Sequence, residues 1–375
     1  MRSANCIFKI LIILAPLWIL SCRLITPDRL PAQTADPRTT ATITRTIPPT
    51  KREMSPVAAQ TLQRTPAIFP SRTSTLSPVR TATPVSGIRY EVIETIRLYN
   101  QGPQKVSRVS LSVVLISTIP PFQSVISASF LPKEQSIQTD PDGNRIAVFE
   151  FKDLAPGSRT DVVLKYQVEI TPVVPQTGDC RGTIPAGLPI GAEKYLEVDA
   201  PQIRDLAERL TKGKATACDK ARAIYDYIGD TMTYSGYNPQ DVGALKALND
   251  KKGDCTEFSD LFIALNRAAG IPARSIDGIT CCTNAKTKNE DIKHNWAEVY
   301  LPGSGWVTVD PTWGRFAQER NRYFARHPEG HIVVGYGRNN SMLDGYHFFY
   351  FRYWREDENT KMKADEEWSI TVLKN

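Results

Sequence analysis

Gly253-Asp254-Cys255-Thr256-Glu257-Phe258 opens the stretch on which the fold turns; an apolar stripe at Phe258, Leu261, Phe262 and Leu265 follows, closed by Gly270 and Pro272. Spacings of three and four residues predict a helix running to about Ala269, with Asp254 and Glu257 capping its start reciprocally. Glycine and proline end it. Cys255 then falls in the first turn, among backbone amides with no partner inside the helix and at the positive end of its dipole. Such a position favours a thiolate, and the same amides suit the anionic oxygen formed when a carbonyl is attacked. Two readings stay open here: a small cysteine that packs the helix start, or a nucleophile. The carboxylate of Asp254 disfavours a thiolate, so a cationic partner is the deciding requirement.

Some forty residues on comes His294-Asn295-Trp296-Ala297-Glu298-Val299-Tyr300-Leu301, then Pro302-Gly303-Ser304-Gly305, then Trp306-Val307-Thr308-Val309-Asp310-Pro311-Thr312. This reads as two strands around a glycine-rich turn. His294 would take the proton of Cys255, and Asp310 would fix the imidazole through its other nitrogen. Taken singly, His294 could be structural and Asp310 could simply start a turn before Pro311. Of the histidines at 294, 327, 331 and 347, only His294 is read as beginning a strand. Strand periodicity constrains the pair. If Leu301 paired with Trp306, opposing positions would sum to 607, and His294 and Asp310 would point to opposite faces. A working pair requires an even sum, 604 or 606, with both side chains facing the start of the Cys255 helix.

These segments, together with Gly270-Ile271-Pro272-Ala273-Arg274, resemble the transglutaminase-like superfamily, whose members share papain-like architecture. The resemblance covers roughly residues 195–315. It implies an α+β core in which an antiparallel sheet packs on the cysteine helix. It also implies acyl transfer through a thioester, with Cys255 as nucleophile, His294 as base and Asp310 as orienting carboxylate. It leaves the outcome open between peptidase or amidase, cross-linking transglutaminase, and inactive members that serve as surface binding or scaffolding modules. Hydrolysis needs no second specific site and ranks above cross-linking. The expected partner is a peptide or protein substrate, with the cell envelope as its candidate source. No cofactor is called for, and no metal, because no histidine lies at ligand spacing from the other cysteines.

Outward from this core, residues 199–210, a run opening at Thr216, and residues 241–248 read as helices. Asp199 is expected to cap the first, with Pro201 in its first turn. Upstream, Arg89–Tyr99, Val106–Ile116, Arg145–Phe151 and Thr160–Ile170 read as short strands separated by turn clusters such as Asp140-Pro141-Asp142-Gly143-Asn144. They predict a small β-sandwich. The expected domains are thus a sandwich over 86–175 and a transglutaminase-like domain over 176–375. The aromatic run through Tyr353-Trp354 is assigned to the latter, as extra sheet and cleft wall or as ordinary core and surface.

The remaining segments concern location. Arg2 and Lys9 precede an apolar run from Ile10 to Leu20, and Ser21-Cys22 follows, the pattern of a secretory signal over 1–21. The end of this run resembles the bacterial lipoprotein cleavage box, which would make Cys22 the lipid-bearing residue; an ordinary signal with an incidental Cys22 is the alternative. Residues 23–85 hold 10 prolines and 14 threonines with no apolar period, so 22–85 reads as a disordered linker. Residues 1–85 carry 11 basic and 3 acidic side chains, whereas the rest carries 35 and 37, so the folded part has no basic excess for nucleic acid. The expectation is an extracytoplasmic, membrane-anchored lipoprotein. Five cysteines remain, at 180, 218, 255, 281 and 282, and the odd number suits one free thiol. Neighbouring cysteines rarely bridge, so Cys281 and Cys282 are each expected to pair with Cys180 or Cys218.

Overall fold

The computed structural model describes residues 87–173, 180–281 and 292–373. The expected signal peptide over 1–21, lipidation of Cys22, linker over 22–85 and pairing of Cys282 lie outside them. Six strands come first: β1 (Ile88–Asn100), β2 (Val106–Val114), β3 (Gln123–Leu131), β4 (Ser136–Thr139), β5 (Arg145–Leu154) and β6 (Arg159–Ile170). Along β1 alternate side chains are buried, Tyr90, Val92, Ile96 and Leu98 among them, which is the signature of a strand with one face on a core. The readings of β1, β2, β5 and β6 hold to within a few residues. β3 and β4 lack that alternation because they are edge strands, exposed along most of their length.

The sandwich is completed from far along the chain. Its two antiparallel sheets have the orders β14-β1-β6-β3 and β13-β2-β5-β4, where β13 is Phe349–Arg355 and β14 is Met362–Leu373. β14 runs alongside nearly the whole of β1, from Arg89 opposite Leu373 to Asn100 opposite Met362. The Tyr353-Trp354 run therefore belongs to the sandwich and not to the sheet of the cysteine domain, correcting the linear division at 176. The apolar core is shared as well: Ile279, Ile292, Ile332 and Val334, outside the sandwich strands, pack with its inner face.

Between β6 and β13 lies the cysteine domain. Its helices are α1 (Pro201–Thr211), α2 (Ala217–Thr231), α3 (Ala244–Asp250) and α4 (Cys255–Ala268), with a short parallel pair, β7 (Thr233–Tyr234) and β8 (Lys252–Gly253), leading into α4. α1 starts from Ala200 without a side-chain cap, so Asp199 stands one residue too early for the expected role. Thr216 does cap α2, accepting from the Asp219 amide at 3.1 Å. A sheet of order β11-β10-β9-β12 packs on α4, where β9 is Ala273–Thr280, β10 Lys293–Leu301, β11 Gly305–Val309 and β12 His331–Tyr336. This is the α+β architecture of transglutaminase-like and papain-like proteins, preceded by a β-sandwich.

Every residue of α4 from Thr256 to Arg267 is buried, so the helix runs through the middle of the domain rather than along its surface. Phe258, Leu261, Phe262 and Leu265 each contribute about 1.5–3 kcal/mol by leaving water. Among its buried polar groups, the Ser259 hydroxyl donates to the Asn295 carbonyl at 3.1 Å and Asp260 accepts from Arg338 at 3.1 and 3.3 Å, while Asn266 Oδ1 has no partner among the described residues. Cys180 and Cys218 form a disulfide with Cα atoms 5.7 Å apart, tying the segment before α1 to the start of α2. This overturns the expectation that either would pair with Cys281 or Cys282. Cys281 is also disulfide-bonded, and Cys255 is the free thiol among the described residues.

The β10–β11 hairpin decides the geometry of the site. Ala297 faces Val309, Val299 faces Val307 and Leu301 faces Gly305, so opposing positions sum to 606. The loop is Pro302-Gly303-Ser304, one residue shorter than the four-residue turn that would give 607, and Gly303 and Gly305 supply φ values of +82° and +79°. Trp296, in the middle of β10, is fully buried, and its ring lies over Gly278, which faces His294 across the ladder. A methyl group on Gly278 would stand 2.1 Å from Trp296 Cη2 and 2.6 Å from the Ile332 carbonyl oxygen. Gly278→Ala is expected to cost about 1–3 kcal/mol. In urea melts it should appear as a lower midpoint at constant slope; an unchanged midpoint would mean that the ring yields freely.

Candidate active site

The start of α4 is built as its sequence implies. Asp254 Oδ1 accepts from the Thr256 amide at 2.8 Å, and Glu257 Oε2 reaches back to the Asp254 amide at 3.0 Å, closing the capping box. Asp254 Oδ2 accepts from the Asn238 amide at 2.8 Å. The carboxylate that seemed to oppose a thiolate is thus engaged by amides. The cap takes the Thr256 and Glu257 N–H groups and leaves that of Cys255, on the residue whose half-buried thiol meets the cleft.

The even register brings His294 and Asp310 to one face. Asp310 continues β11 opposite Trp296, diagonal to His294, and its Oδ2 lies 2.8 Å from His294 Nε2. With Nε2 so occupied, Nδ1 is the nitrogen left for Cys255, with which the imidazole interacts. Burial works against charging His294. The negative charge of Asp310, its hydrogen bond and the adjacent Cys255 outweigh that and hold the imidazolium up to about 10.

Asp310 itself is 1 % exposed, and such a buried charge requires partners. Its Oδ1 accepts from the amides of Thr312 and Trp313, both at 3.0 Å. Oδ2 serves a second imidazole as well, that of His331, at 3.0 Å. Burial would raise this carboxyl, but the charge of His294 and the hydrogen bonds from both histidines hold it well below the usual carboxylate range. His331 sits among Trp296 and Trp313 with ring centroids 4.9 and 5.1 Å away. Its burial pushes the imidazole down, so it is a neutral donor through Nε2, and its Nδ1 has no hydrogen-bond partner among the described residues.

His331 is the residue that sequence reasoning missed. It begins β12, which corrects the statement that only His294 begins a strand; the β-branched run Ile332-Val333-Val334 behind it was the available signal. A second missed group lies beneath the thiol. Asn295 Oδ1 is 3.9 Å from Cys255 Sγ and accepts from Thr256 Oγ1 at 3.1 Å, while its Nδ2 donates to Asp277, which also holds His347 Nδ1 at 2.9 Å. His294, Asp310 and His331 offer ligand atoms within 4.8 Å of one another. However, the carboxylate oxygen already lies 2.8 and 3.0 Å from the two nitrogens. Two donors on one tetrahedral ion, with bonds of roughly 2.0–2.1 Å, would stand roughly 3.3 Å apart. The cluster reads as a hydrogen-bonded one.

Comparison with known proteins bears on the cysteine-bearing segment and on the fold. Residues 204–311 match the family model of the transglutaminase-like superfamily. The YebA protein of Bacillus subtilis is 36% identical over 142 residues, and a protein-glutamine gamma-glutamyltransferase of Pseudomonas aeruginosa is 28% identical over 130 residues. These matches cover 33% and 32% of this chain but only 19% of either relative, so the chain spans about a fifth of their length. The solved structure of a candidate cysteine protease from Cytophaga hutchinsonii has the same fold, with a TM-score of 0.56 at 17% identity, covering 77% of this chain and 92% of that one. Over residues 204–311, the segment that bears Cys255, the chain is thus similar to the transglutaminase-like superfamily.

The raised value of His294 has a sign that can be checked. Stability from its protonated form is full below the ordinary histidine value of 6.5 and is lost as pH rises through about 10. Asp310→Asn removes the charge that holds the proton while leaving the burial that opposes it. Imidazole NMR titration should therefore find His294 ionising far below 10 in that variant; a value still near 10 would exclude Asp310 as the cause.

Proposed function

We propose that the protein is an extracytoplasmic cysteine acyl-transfer enzyme, a peptidase or amidase, with Cys255 as nucleophile, His294 as general base and acid, and Asp310 as the orienting carboxylate. One observation carries this reading: a free, half-buried thiol at a helix start beside an imidazole whose far nitrogen is held 2.8 Å from a buried carboxylate. In the reaction the Cys255 sulfur attacks an amide carbonyl as the thiolate, its proton held on His294, with the developing oxyanion facing the Cys255 amide. The imidazolium then protonates the leaving amine. Water, deprotonated by His294, releases the acyl group from the thioester.

The cleft over Cys255, about 1820 Å³, exceeds the 300–1,000 Å³ usual for small-molecule sites and suits a peptide or protein chain. The Cys180–Cys218 disulfide and the signal-like segment over 1–21 support a place outside the cytoplasm, with lipid on Cys22 and the 22–85 linker spacing the domains from the membrane.

Cys255→Ser should abolish thioester formation with peptide amide substrates, followed by mass spectrometry of the acylated enzyme. Asp310→Asn should lower the rate by about 10²- to 10⁴-fold with substrate binding largely retained. Turnover undiminished in either variant would contradict the assignment, and a wild-type chain inert toward thiol-directed reagents would favour a binding module on the same fold. Mass spectrometry of the mature protein is expected to find a lipid-modified Cys22 at the N-terminus; an unmodified Cys22, or cleavage elsewhere, would remove the anchor.

A further inference from the structure

The cations that line the cleft are not equivalent. Arg97 is paired with Glu367 at 2.6 Å, Lys293 with Glu366, and His347 with Asp277 at 2.9 Å. Lys194 is exposed and rests on the ring of Tyr195. Arg315 is different. It follows Asp310 by five residues in a short 3-10 turn, Trp313–Arg315, whose Trp313 ring lies 5.6 Å from His294. Among the described residues no carboxylate pairs with it, although it is half-buried and its desolvation is not compensated by an ion pair. The nearby negative charge, Asp310, is already shared between two imidazoles and two amides.

The guanidinium is nevertheless held in place. It stacks over Tyr234 at 4.8 Å and Phe316 at 4.1 Å, and Nη1 donates to the Thr312 carbonyl at 2.5 Å. Tyr234 in turn lies against Phe258, whose ring is 6.4 Å away one turn along the helix that Cys255 begins. A pre-positioned guanidinium with donors to spare matches a carboxylate, which it can bind through two parallel hydrogen bonds. Three other buried or half-buried arginines have a carboxylate partner, Arg267 with Glu193, Arg274 with Glu298 and Arg338 with Asp260, whereas half-buried Arg355 donates to the carbonyls of Glu358 and Thr360.

We propose that Arg315 forms a carboxylate-binding subsite of the cleft, so that the preferred acyl donors carry a free carboxylate close to the amide that Cys255 attacks. The proposal rests on the reading of Cys255 as nucleophile. The subsite supplies orientation as well as affinity, because a bidentate contact fixes the substrate in rotation about the chain.

Iodoacetate and iodoacetamide test it without a known substrate. Both alkylate a thiol with loss of iodide, and they differ in a carboxylate against a carboxamide. Rates at Cys255 are to be measured in the full chain by mass spectrometry, with Cys255→Ala as the control for site. The attraction of His294 for iodoacetate is common to wild type and variants and cancels. Arg315→Gln is expected to lower the iodoacetate-to-iodoacetamide rate ratio on the order of fivefold while leaving the iodoacetamide rate unchanged. Arg315→Lys should keep part of the preference, and high salt should erode it in the wild type. An unchanged ratio in Arg315→Gln, or an equal fall in both rates, overturns the subsite and leaves the nucleophile standing. A wild-type Cys255 that reacts with neither reagent sinks the nucleophile, and the subsite with it.

Discussion

A carboxylate buried to 1 % exposure cannot stand alone, and the site of this protein is arranged around the needs of Asp310. Its two oxygens receive four hydrogen bonds, two from backbone amides and two from imidazoles. The four donors come from three pieces of structure: the turn that follows Asp310, the strand carrying His294, and the strand that His331 begins. The backbone amide of Asp310 is also bound, donating to the Tyr323 carbonyl at 2.9 Å. Satisfying one charge thereby fixes the relative positions of β10, β11 and β12 and the aromatic wall of Trp313. The two histidines on the same oxygen divide the work by environment. His294 faces the thiol and is held protonated, whereas His331 is enclosed by rings and stays neutral.

A second buried network supports the other side of the site. Arg338 joins Asp260, in the middle of α4, to Asp241, which also meets His347; His347 meets Asp277, and Asp277 holds Asn295 beneath the thiol. Replacing such a network with apolar side chains is often neutral or stabilising in proteins, so its presence here is weak as an argument for stability. Its geometric effect is plain. It ties the segment around residues 338–347 to the cysteine helix and to β9 and β10, and that segment leads directly into β13. The return of β13 and β14 to the sandwich then closes the chain over the core it began with, and residues of both strands line the cleft. The sandwich is therefore part of the wall of the site as well as a neighbour of it.

Much of this was determined by the sequence alone, wherever the cause is local. The cap residues Asp254 and Glu257, the apolar stripe of α4 and its Gly270 stop act within a few residues of one another, so the place of Cys255 at a helix start could be read directly. The hairpin residues and the requirement for an even register follow from strand alternation. What periodicity could not choose was 606 over 604, because that depends on a three-residue loop and the φ values its glycines adopt. His331 shares an oxygen with His294 across 37 positions of chain, Cys180 reaches Cys218 across 38, and β14 pairs with β1 from the far end of the sequence. Such partners are selected by which surfaces meet when the core closes. A linear pattern records which face of a strand is apolar but not which strand will lie against it, so those decisions belonged to the tertiary structure.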